Sequence, residues 1–155
     1  MHALRRVTTP ADWAAMHAIR RATLFAPGRR KVDIVYDENH PDDHAEGHVP
    51  FVLVDDGEPI GVVRLDFRGD IAIVRLVAIL PSLQRRGHGR LLDALVIEEA
   101  RRRGVKELRL NSAPDAVGFY EKTGWVHGDW DPAELVGIGA DCVQMIKAIQ
   151  GSFKP

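Results

Sequence analysis

The most apolar stretch of the chain leads directly into a stretch with helical periodicity. Residues 71–80 contain a single charged side chain, Arg75, which is typical of a strand that is buried on both faces of a sheet. Apolar residues then recur three or four positions apart from Leu91 to Ala100, with charged residues on the other side of the pattern. The chain is therefore predicted to pass from a buried strand through a short turn into an amphipathic helix.

The same patterns predict further elements on both sides of this joint. Helical spacing predicts a helix over residues 10–25, beginning at Pro10 after the potential cap Thr9, and a polar loop over residues 26–50. A second, short helix is predicted between residues 112 and 124, with Gly124 at its left-handed end, and residues 151–155 are predicted to be a frayed tail. Apolar runs predict strands at 4–7, 51–54, 60–67, 105–110, close to 126, and at 142–148. This order predicts a mixed sheet with helices on its faces.

Length and charge narrow the class of protein. At 155 residues and 17.2 kDa the chain is long enough for one domain with its own core, so we expect a single domain over residues 1–155. The 21 basic and 22 acidic side chains nearly cancel, which gives no reason to expect nucleic-acid or membrane binding. Cys142, the single cysteine, cannot form an internal disulfide. We expect a cytoplasmic protein, because the first residues lack a signal-like apolar run and no apolar segment reaches the roughly 20 residues of a membrane span.

The turn between the buried strand and the helix has the composition of an anion site. Gly87 and Gly89 keep side chains away from the start of the helix, where unpaired backbone N–H groups and the helix dipole favour negative charge. Arg85, Arg86 and Arg90 add positive charge in a form that suits phosphate oxygens. The dinucleotide pattern G-x-G-x-x-G fails because position 92 is a leucine, and the G-K-[ST] of a P-loop is absent. The expected ligand is a phosphate or pyrophosphate.

Two motifs resemble those of a known family. Residues 84–89, Gln-Arg-Arg-Gly-His-Gly, resemble the Q/R-x-x-G-x-G/A signature of the GNAT superfamily of acyl-CoA-dependent N-acetyltransferases, and residues 111–125 resemble its second signature, N-x-x-A-x-x-F-Y-x-K-x-G-F/W. The resemblance implies an α/β (α+β mixed) fold, with a central mixed, mostly antiparallel sheet of about six to seven strands flanked by helices and splayed between its fourth and fifth strands. It also implies direct transfer of an acetyl group from acetyl-CoA, as cosubstrate, to a primary amine of a small molecule or peptide.

The resemblance also implies roles for individual residues. Tyr120 falls at the family's general-acid position, and a phenol can share a proton with a departing thiolate. Asn111 carries an amide suited to the pantetheine arm of CoA or to an ordered water, and it could instead cap the following helix. A backbone N–H of residue 78, 79 or 80 would polarise the thioester carbonyl. The residues expected to bind CoA are Ala78, Ile79, Leu80, Arg85, Arg86, Gly87, His88, Gly89, Arg90, Asn111, Phe119 and Tyr120.

The sequence leaves the general base unassigned. Family members often carry a Glu on the central strand, but residues 71–80 contain no acid. Asp66, His44, His48 or water could take this role. His40, His44 and His48 also recur every four residues, as metal ligands on a helix can, but Pro41 argues against a helix there and no metal is expected.

Other functions stay open at this point. The missing strand carboxylate leaves room for a non-catalytic acyl-CoA sensor or regulatory module, and the arginine-rich loop could hold the diphosphate of another nucleotide. A homodimer is also open. The loop over residues 26–50 is expected to shape the acceptor pocket, and its acidic side chains favour a cationic acceptor. These side chains are Asp37, Glu38, Asp42, Asp43 and Glu46.

Overall fold

The computed structural model describes residues 1–30 and 34–149, and its strands form one seven-stranded sheet. The predicted tail at 151–155 lies outside the described residues. None of the helices in this part of the chain has both the length and the apolar character needed to cross a membrane. In chain order the elements are β1 (His2–Arg6), α1 (Pro10–Ala22), β2 (His48–Asp55), β3 (Glu58–Arg68), β4 (Ile71–Ile79), α2 (His88–Arg102), β5 (Glu107–Ser112), α3 (Val117–Lys122), β6 (Val126–His127) and β7 (Val143–Ala148).

The sheet has the strand order β1-β2-β3-β4-β5-β7-β6 and is antiparallel except between β4 and β5. The parallel pair is short, because β4 pairs with β5 only from Ile71 opposite Glu107 to Ile73 opposite Arg109. Beyond that point β4 continues to Ile79, while β5 pairs with β7 on its other side. The predicted fold and its splay between the fourth and fifth strands are therefore confirmed.

Each face of the sheet has its own hydrophobic core. Successive residues of β2 point to opposite faces, so Phe51 belongs to one cluster of buried residues and Val52 to the other. Helix α2 packs on the first face through Val96, and α1 packs on the second through Ile19. Burial of each such aliphatic side chain is worth about 1.5–3 kcal/mol, which fixes the two helices against the strands that carry the site.

Helix α1 begins as predicted and ends earlier than predicted. The Thr9 hydroxyl accepts a hydrogen bond from the backbone N–H of Asp12, and the Asp12 carboxylate accepts from the N–H of Thr9, which forms a capping box. The helix stops at Ala22 instead of residue 25, because Thr23 leaves helical geometry with φ −123° and ψ −84°. The Thr23 hydroxyl then donates to the carbonyl of Ile19.

The connection from β5 to α3 differs from the prediction. Asn111 and Ser112 pair with Gln144 and Val143 of β7, so they belong to the strand and neither starts a helix. A short 3₁₀ turn, Pro114–Ala116, comes before α3. Gly124 does follow α3 in the left-handed conformation, with φ +97°, as predicted.

Candidate active site

A cavity of about 1020 Å³ opens where β4 and β5 separate. One wall comes from residues 74–77 of β4, and a second comes from residues 110–116, which include the end of β5. The third wall comes from α1 and the chain that follows it. Its polar and charged residues are Arg20, Arg29, Arg30, Tyr36, Asp37, His40, Asp42 and Asp43. The cavity therefore has an opening between two strands at one side and a densely charged wall at the other.

A bulge in β4 lies at the edge of this opening. Val62 of β3 stands opposite Ala78, whereas Arg64 stands opposite Arg75, so β4 has one residue more than β3 between these two pairs. Leu76 takes up the extra length with φ +55°, a conformation that is rare for a residue with a side chain. The bulge turns this part of β4 out of the regular ladder and towards the cavity.

The pairing of β4 bears on the backbone donors expected at residues 78, 79 and 80. Leu80 is not available to polarise a substrate carbonyl, because its N–H donates to the carbonyl of Ile60 at 2.9 Å. Ala78 and Ile79 have register partners on β3, but antiparallel pairs alternate between hydrogen-bonded and non-hydrogen-bonded, so this pairing alone excludes neither N–H as a donor. Leu76 and Val77 line the cavity and have no partner in the register of either neighbouring strand. No glycine or proline marks this bulge, so the sequence carried no signal for it.

The arginine-rich loop ends in an uncapped helix N-terminus. Gln84 ties the start of the loop to β4 by donating from its side-chain amide to the carbonyl of Ile79 at 2.9 Å. Arg85 and Gly87 then adopt φ +64° and φ +85°, and Gly87 occupies the N-cap of α2 without a side-chain hydrogen bond to the helix. The first N–H groups of α2 are therefore left for an external acceptor.

The predicted phosphate ligands surround this helix end. Within residues 1–30 and 34–149, the side chains of Arg85, Arg86 and Arg90 make no ion pair or hydrogen bond, and all three residues are exposed. A methyl group at Gly89 would lie 3.5 Å from the ring of Phe119, an ordinary van der Waals contact, so α3 lies beside the start of α2. The residues present fit a pyrophosphate, and their role in binding one stays a prediction.

Tyr120 lies between the large cavity and a smaller apolar pocket formed by β4, α2 and α3. Its ring makes edge contacts with Phe119 at 5.2 Å and with Trp125 at 5.7 Å between ring centroids. Burial, and to a lesser extent the charge of Asp93, raises the pKa of Tyr120 to about 12. Its hydroxyl makes no hydrogen bond to any described residue. The side chain is thus a protonated phenol whose hydroxyl has no partner within residues 1–30 and 34–149.

Asn111 is held by neighbouring side chains. Its amide nitrogen donates to Oε1 of Glu134 at 2.9 Å, and its oxygen accepts from the amide of Gln144 at 2.9 Å. The side chain lines the cavity but does not cap a helix, which excludes that alternative. Its proposed contact with pantetheine or water is not tested by these contacts and stays a prediction.

A row of ion pairs runs beneath the charged wall and crosses the sheet to the splay. Asp43 bridges Arg20 and Arg64 at 2.8 and 3.2 Å, and Asp66 accepts from Arg64 and Arg75, each with a closest distance of 2.8 Å. At the splay, Arg75 donates from both terminal nitrogens to the two oxygens of Glu134, at 2.9 Å each. Sequence reasoning missed Glu134, which is brought here by the excursion between β6 and β7.

These contacts bear on the search for a general base. Asp66 is fully buried and accepts three hydrogen bonds from guanidinium groups. Hydrogen bonding to Arg75, against an opposing effect of burial, lowers the pKa of Glu134. Burial acts to raise the pKa of Asp43, but hydrogen bonds from Arg20 and Arg64 outweigh it and the pKa is lowered. The lowered pKa values make Asp43 and Glu134 weak proton acceptors, and Asp66 is enclosed by the guanidinium groups of Arg64 and Arg75.

The histidines of the polar loop do not converge. His44 is exposed and stacks on Trp13, with 4.8 Å between ring centroids. His48 has Nδ1 at 2.6 Å from the carbonyl of Asp42 and Nε2 at 3.5 Å from Asp66. Neither lines the cavity, whereas His40 does. Over the described ranges, no three side chains of the metal-ligating types are placed to hold a metal ion.

Comparison with known proteins agrees with this geometry. The Acetyltransferase (GNAT) family matches residues 13–125, and the chain belongs to this family. Membership supports an acyltransferase activity.

Individual relatives are distant in sequence and close in structure. The YyaT protein of Bacillus subtilis is 25% identical over 123 residues, which cover 79% of this chain and 81% of the relative. The ribosomal-protein-S18-alanine N-acetyltransferase of Escherichia coli superposes with a TM-score of 0.72 at 21% identity, covering 99% of this chain and 97% of that one. A GNAT-family acetyltransferase of Staphylococcus aureus gives 0.75 at 12% identity, covering 97% and 100%. At these identities the solved structures establish the fold alone.

Proposed function

We propose that the protein transfers an acetyl group from acetyl-CoA directly to a primary amine of a small molecule or peptide. The observation that carries this proposal is the placement of the Tyr120 side chain beside the splay between β4 and β5, with no hydrogen bond from its hydroxyl to the described part of the chain. The exposed arginines and the uncapped helix N-terminus follow β4 at the end where it has separated from β5, and they support a pyrophosphate there. A donor that joins a pyrophosphate to a thioester by a long arm suits both features.

The proposed chemistry assigns one step to each part of the site. The acceptor ammonium first loses a proton to water, because Asp43, Asp66 and Glu134 are all engaged in ion pairs with arginines. The amine nitrogen then attacks the thioester carbonyl carbon, while a backbone N–H at the β4 bulge stabilises the developing oxyanion. As the carbon–sulfur bond breaks, Tyr120 gives its proton to the sulfur. The proton released from the new amide nitrogen returns to the Tyr120 oxygen through water.

The protonation state of Tyr120 supports its role as the acid. A phenol with a pKa of about 12 stays protonated at neutral pH, so the donor is always present when the thiolate forms. A free thiol has a pKa of about 8.5, so the thiolate can regain a proton from solvent at modest cost if the phenol is absent. Loss of the hydroxyl should therefore slow the transfer without abolishing it.

The test combines binding and turnover. Calorimetry with CoA should show binding that weakens at least about tenfold, or 1.4 kcal/mol, when Arg85 and Arg86 are both changed to Ala. Arg6→Ala is the matched control, because Arg6 is also exposed and lies on β1. Incubation with acetyl-CoA and a panel of amines should then release thiol with at least one of them. Absence of CoA binding by the intact protein would rule the proposal out.

A second candidate is a non-catalytic acyl-CoA sensor or regulatory module. The specific observation in its favour is that Asp43, Asp66 and Glu134 are all engaged by arginines, which leaves none of them as an evident base. A sensor should bind CoA and release no thiol with any amine. Turnover with a single acceptor decides against it.

A further inference from the structure

Arg20 presents an unusual combination of burial and missing partners. Its side chain is only 2% exposed, and the residue lies near the end of α1, on the charged wall of the large cavity. One terminal nitrogen, Nη1, donates to Asp43 at 2.8 Å and to the hydroxyl of Tyr36 at 3.2 Å. The other two nitrogens, Nε and Nη2, are buried and have no hydrogen-bond partner in the described structure. Nη1 of this guanidinium is therefore hydrogen-bonded, whereas Nε and Nη2 are not.

The unsatisfied half has the geometry of a carboxylate site. Nε–H and Nη2–H point in parallel from one edge of the planar group, and this edge binds the two oxygens of a carboxylate together. The protein already contains such a pair, because Arg64 uses the same two nitrogens to bind both oxygens of Asp66 at 2.8 and 3.1 Å. Buried donors on a charged group are costly to leave without an acceptor, so the edge of Arg20 favours an anionic ligand.

The surrounding charges favour a single negative charge over two. Asp43 lies against the same guanidinium and would repel a dianion such as a phosphate monoester. Arg64 offsets the charge of Asp43, and the exposed Arg29 on the same cavity wall makes no ion pair with a described residue. A planar monoanion, a carboxylate, satisfies both the edge geometry and this balance.

The acidic character of the loop does not oppose such a ligand. Asp43 is neutralised by Arg20 and Arg64, and Glu38 pairs with Arg21. Two of the five acids that suggested a cationic acceptor are therefore already compensated within the protein.

We propose that the acceptor is an aminocarboxylate whose carboxylate binds the Nε and Nη2 edge of Arg20 while its amine reaches the splay. The inference rests on the proposed acetyl transfer and names the class of its acceptor. Because both nitrogens are closed to solvent, the carboxylate reaches them only when the cavity wall around Arg20 opens locally. The ion pair formed there is shielded from water, which makes it stronger than a surface pair.

The first experiment compares acceptors that differ only in charge at one end. A series of ω-amino acids of increasing chain length is assayed against the matching ω-amino carboxamides, with thiol release as the readout. Placing the carboxylate far from the amine keeps the amine pKa similar within each pair. For the chain length that spans the site, kcat/KM should be at least about tenfold higher for the carboxylate than for the amide.

A conservative variant then assigns this preference to Arg20. Arg20→Lys keeps the positive charge beside Asp43 but removes the parallel Nε–H and Nη2–H donors. The ratio of kcat/KM for carboxylate over amide should fall towards one, because the variant loses the contact that only the carboxylate makes. Arg21→Lys is the matched control, because Arg21 is the next residue of α1, is exposed and pairs with Glu38 outside the cavity. It should leave the ratio as in the unmodified protein.

Each possible result decides whether the acceptor carboxylate binds Arg20. Equal kcat/KM for carboxylate and amide acceptors overturns the inference while leaving acetyl transfer intact, and so does a ratio that Arg20→Lys leaves unchanged. If no amine releases thiol although CoA binds, the proposed function fails, and the inference fails with it. Should Arg20→Lys not fold, inhibition of the unmodified protein replaces it: butyrate must compete with the acceptor more strongly than butyramide, or the inference is wrong.

Discussion

Changing Tyr120 to Phe removes one oxygen from the centre of the proposed chemistry. The hydroxyl makes no hydrogen bond to a described residue, and the edge contacts of the ring with Phe119 and Trp125 are available to a phenylalanine as well. We therefore expect the free energy of unfolding to change by less than about 1 kcal/mol. Any loss of activity should then reflect chemistry.

The expected kinetic effect follows from the loss of a general acid. We expect kcat to fall by about 10- to 1000-fold, which corresponds to about 1.4 to 4 kcal/mol of transition-state stabilisation. The affinity for CoA should stay within about threefold, because the hydroxyl is assigned to the transition state and not to the bound ground state.

The assay must isolate the chemical step. Single-turnover mixing of protein and acetyl-CoA with an excess of acceptor measures amide formation before product release, and thermal unfolding of the same samples reports stability. The reasoning is refuted if the single-turnover rate of Tyr120→Phe equals that of the unmodified protein. It is also refuted if the lost activity matches the fraction of unfolded protein, in which case Tyr120 is a packing residue.

Three further expectations follow from the structure. Because the pKa of Tyr120 is raised to about 12, ionisation of this side chain should not lower kcat between pH 7 and about 10. An ordinary tyrosine would be half ionised at about pH 10, and a pH–rate profile distinguishes the two cases. Glu134 has a folded-state pKa below its unfolded value, so its contribution to stability is present above the unfolded pKa and is lost as pH falls through the folded pKa. Chemical denaturation from pH 7 down to 3 should therefore show a smaller loss of stability for Glu134→Gln than for the unmodified protein. A methyl group at Gly47, where φ is +81°, would lie 2.8 Å from the backbone oxygen of Phe67, whereas at Gly57, where φ is +85°, it would meet nothing within 4 Å. Gly57→Ala should therefore cost about 1–2 kcal/mol from backbone conformation alone and Gly47→Ala clearly more, and equal losses in urea denaturation would contradict the clash.

The elements that the sequence predicted correctly are those with strong local signals. The apolar run at 71–80 and the periodic stretch after it became β4 and α2, and the Thr9 cap with Pro10 marked the start of α1. The two motifs located the loop and Tyr120 because their glycine and aromatic positions are close together in the chain. Patterns of this kind depend on backbone geometry and on burial within a short stretch of chain, so they can be recognised from neighbouring residues alone.

The features that the sequence did not reveal depend on residues far apart in the chain. Glu134 is 59 positions from Arg75, and nothing in the irregular stretch around it indicates that the two meet. The bulge at Leu76 arises where the pairing with β3 resumes, and the residue itself gives no sign of a positive φ. Arg20 looked like one charged position on a helix, and its burial depends on Asp43 from the loop and Arg64 from β3. Such contacts come from tertiary packing, which composition and periodicity do not encode.

A crystal structure of the protein with CoA bound tests the central claim most directly. The account predicts the pyrophosphate at the N-terminus of α2 against Arg85 and Arg86, and the pantetheine arm between β4 and β5. It also predicts the sulfur within about 3.5 Å of the Tyr120 hydroxyl, close enough to receive a proton. CoA bound at another surface, or a sulfur separated from Tyr120 by protein atoms, would contradict it.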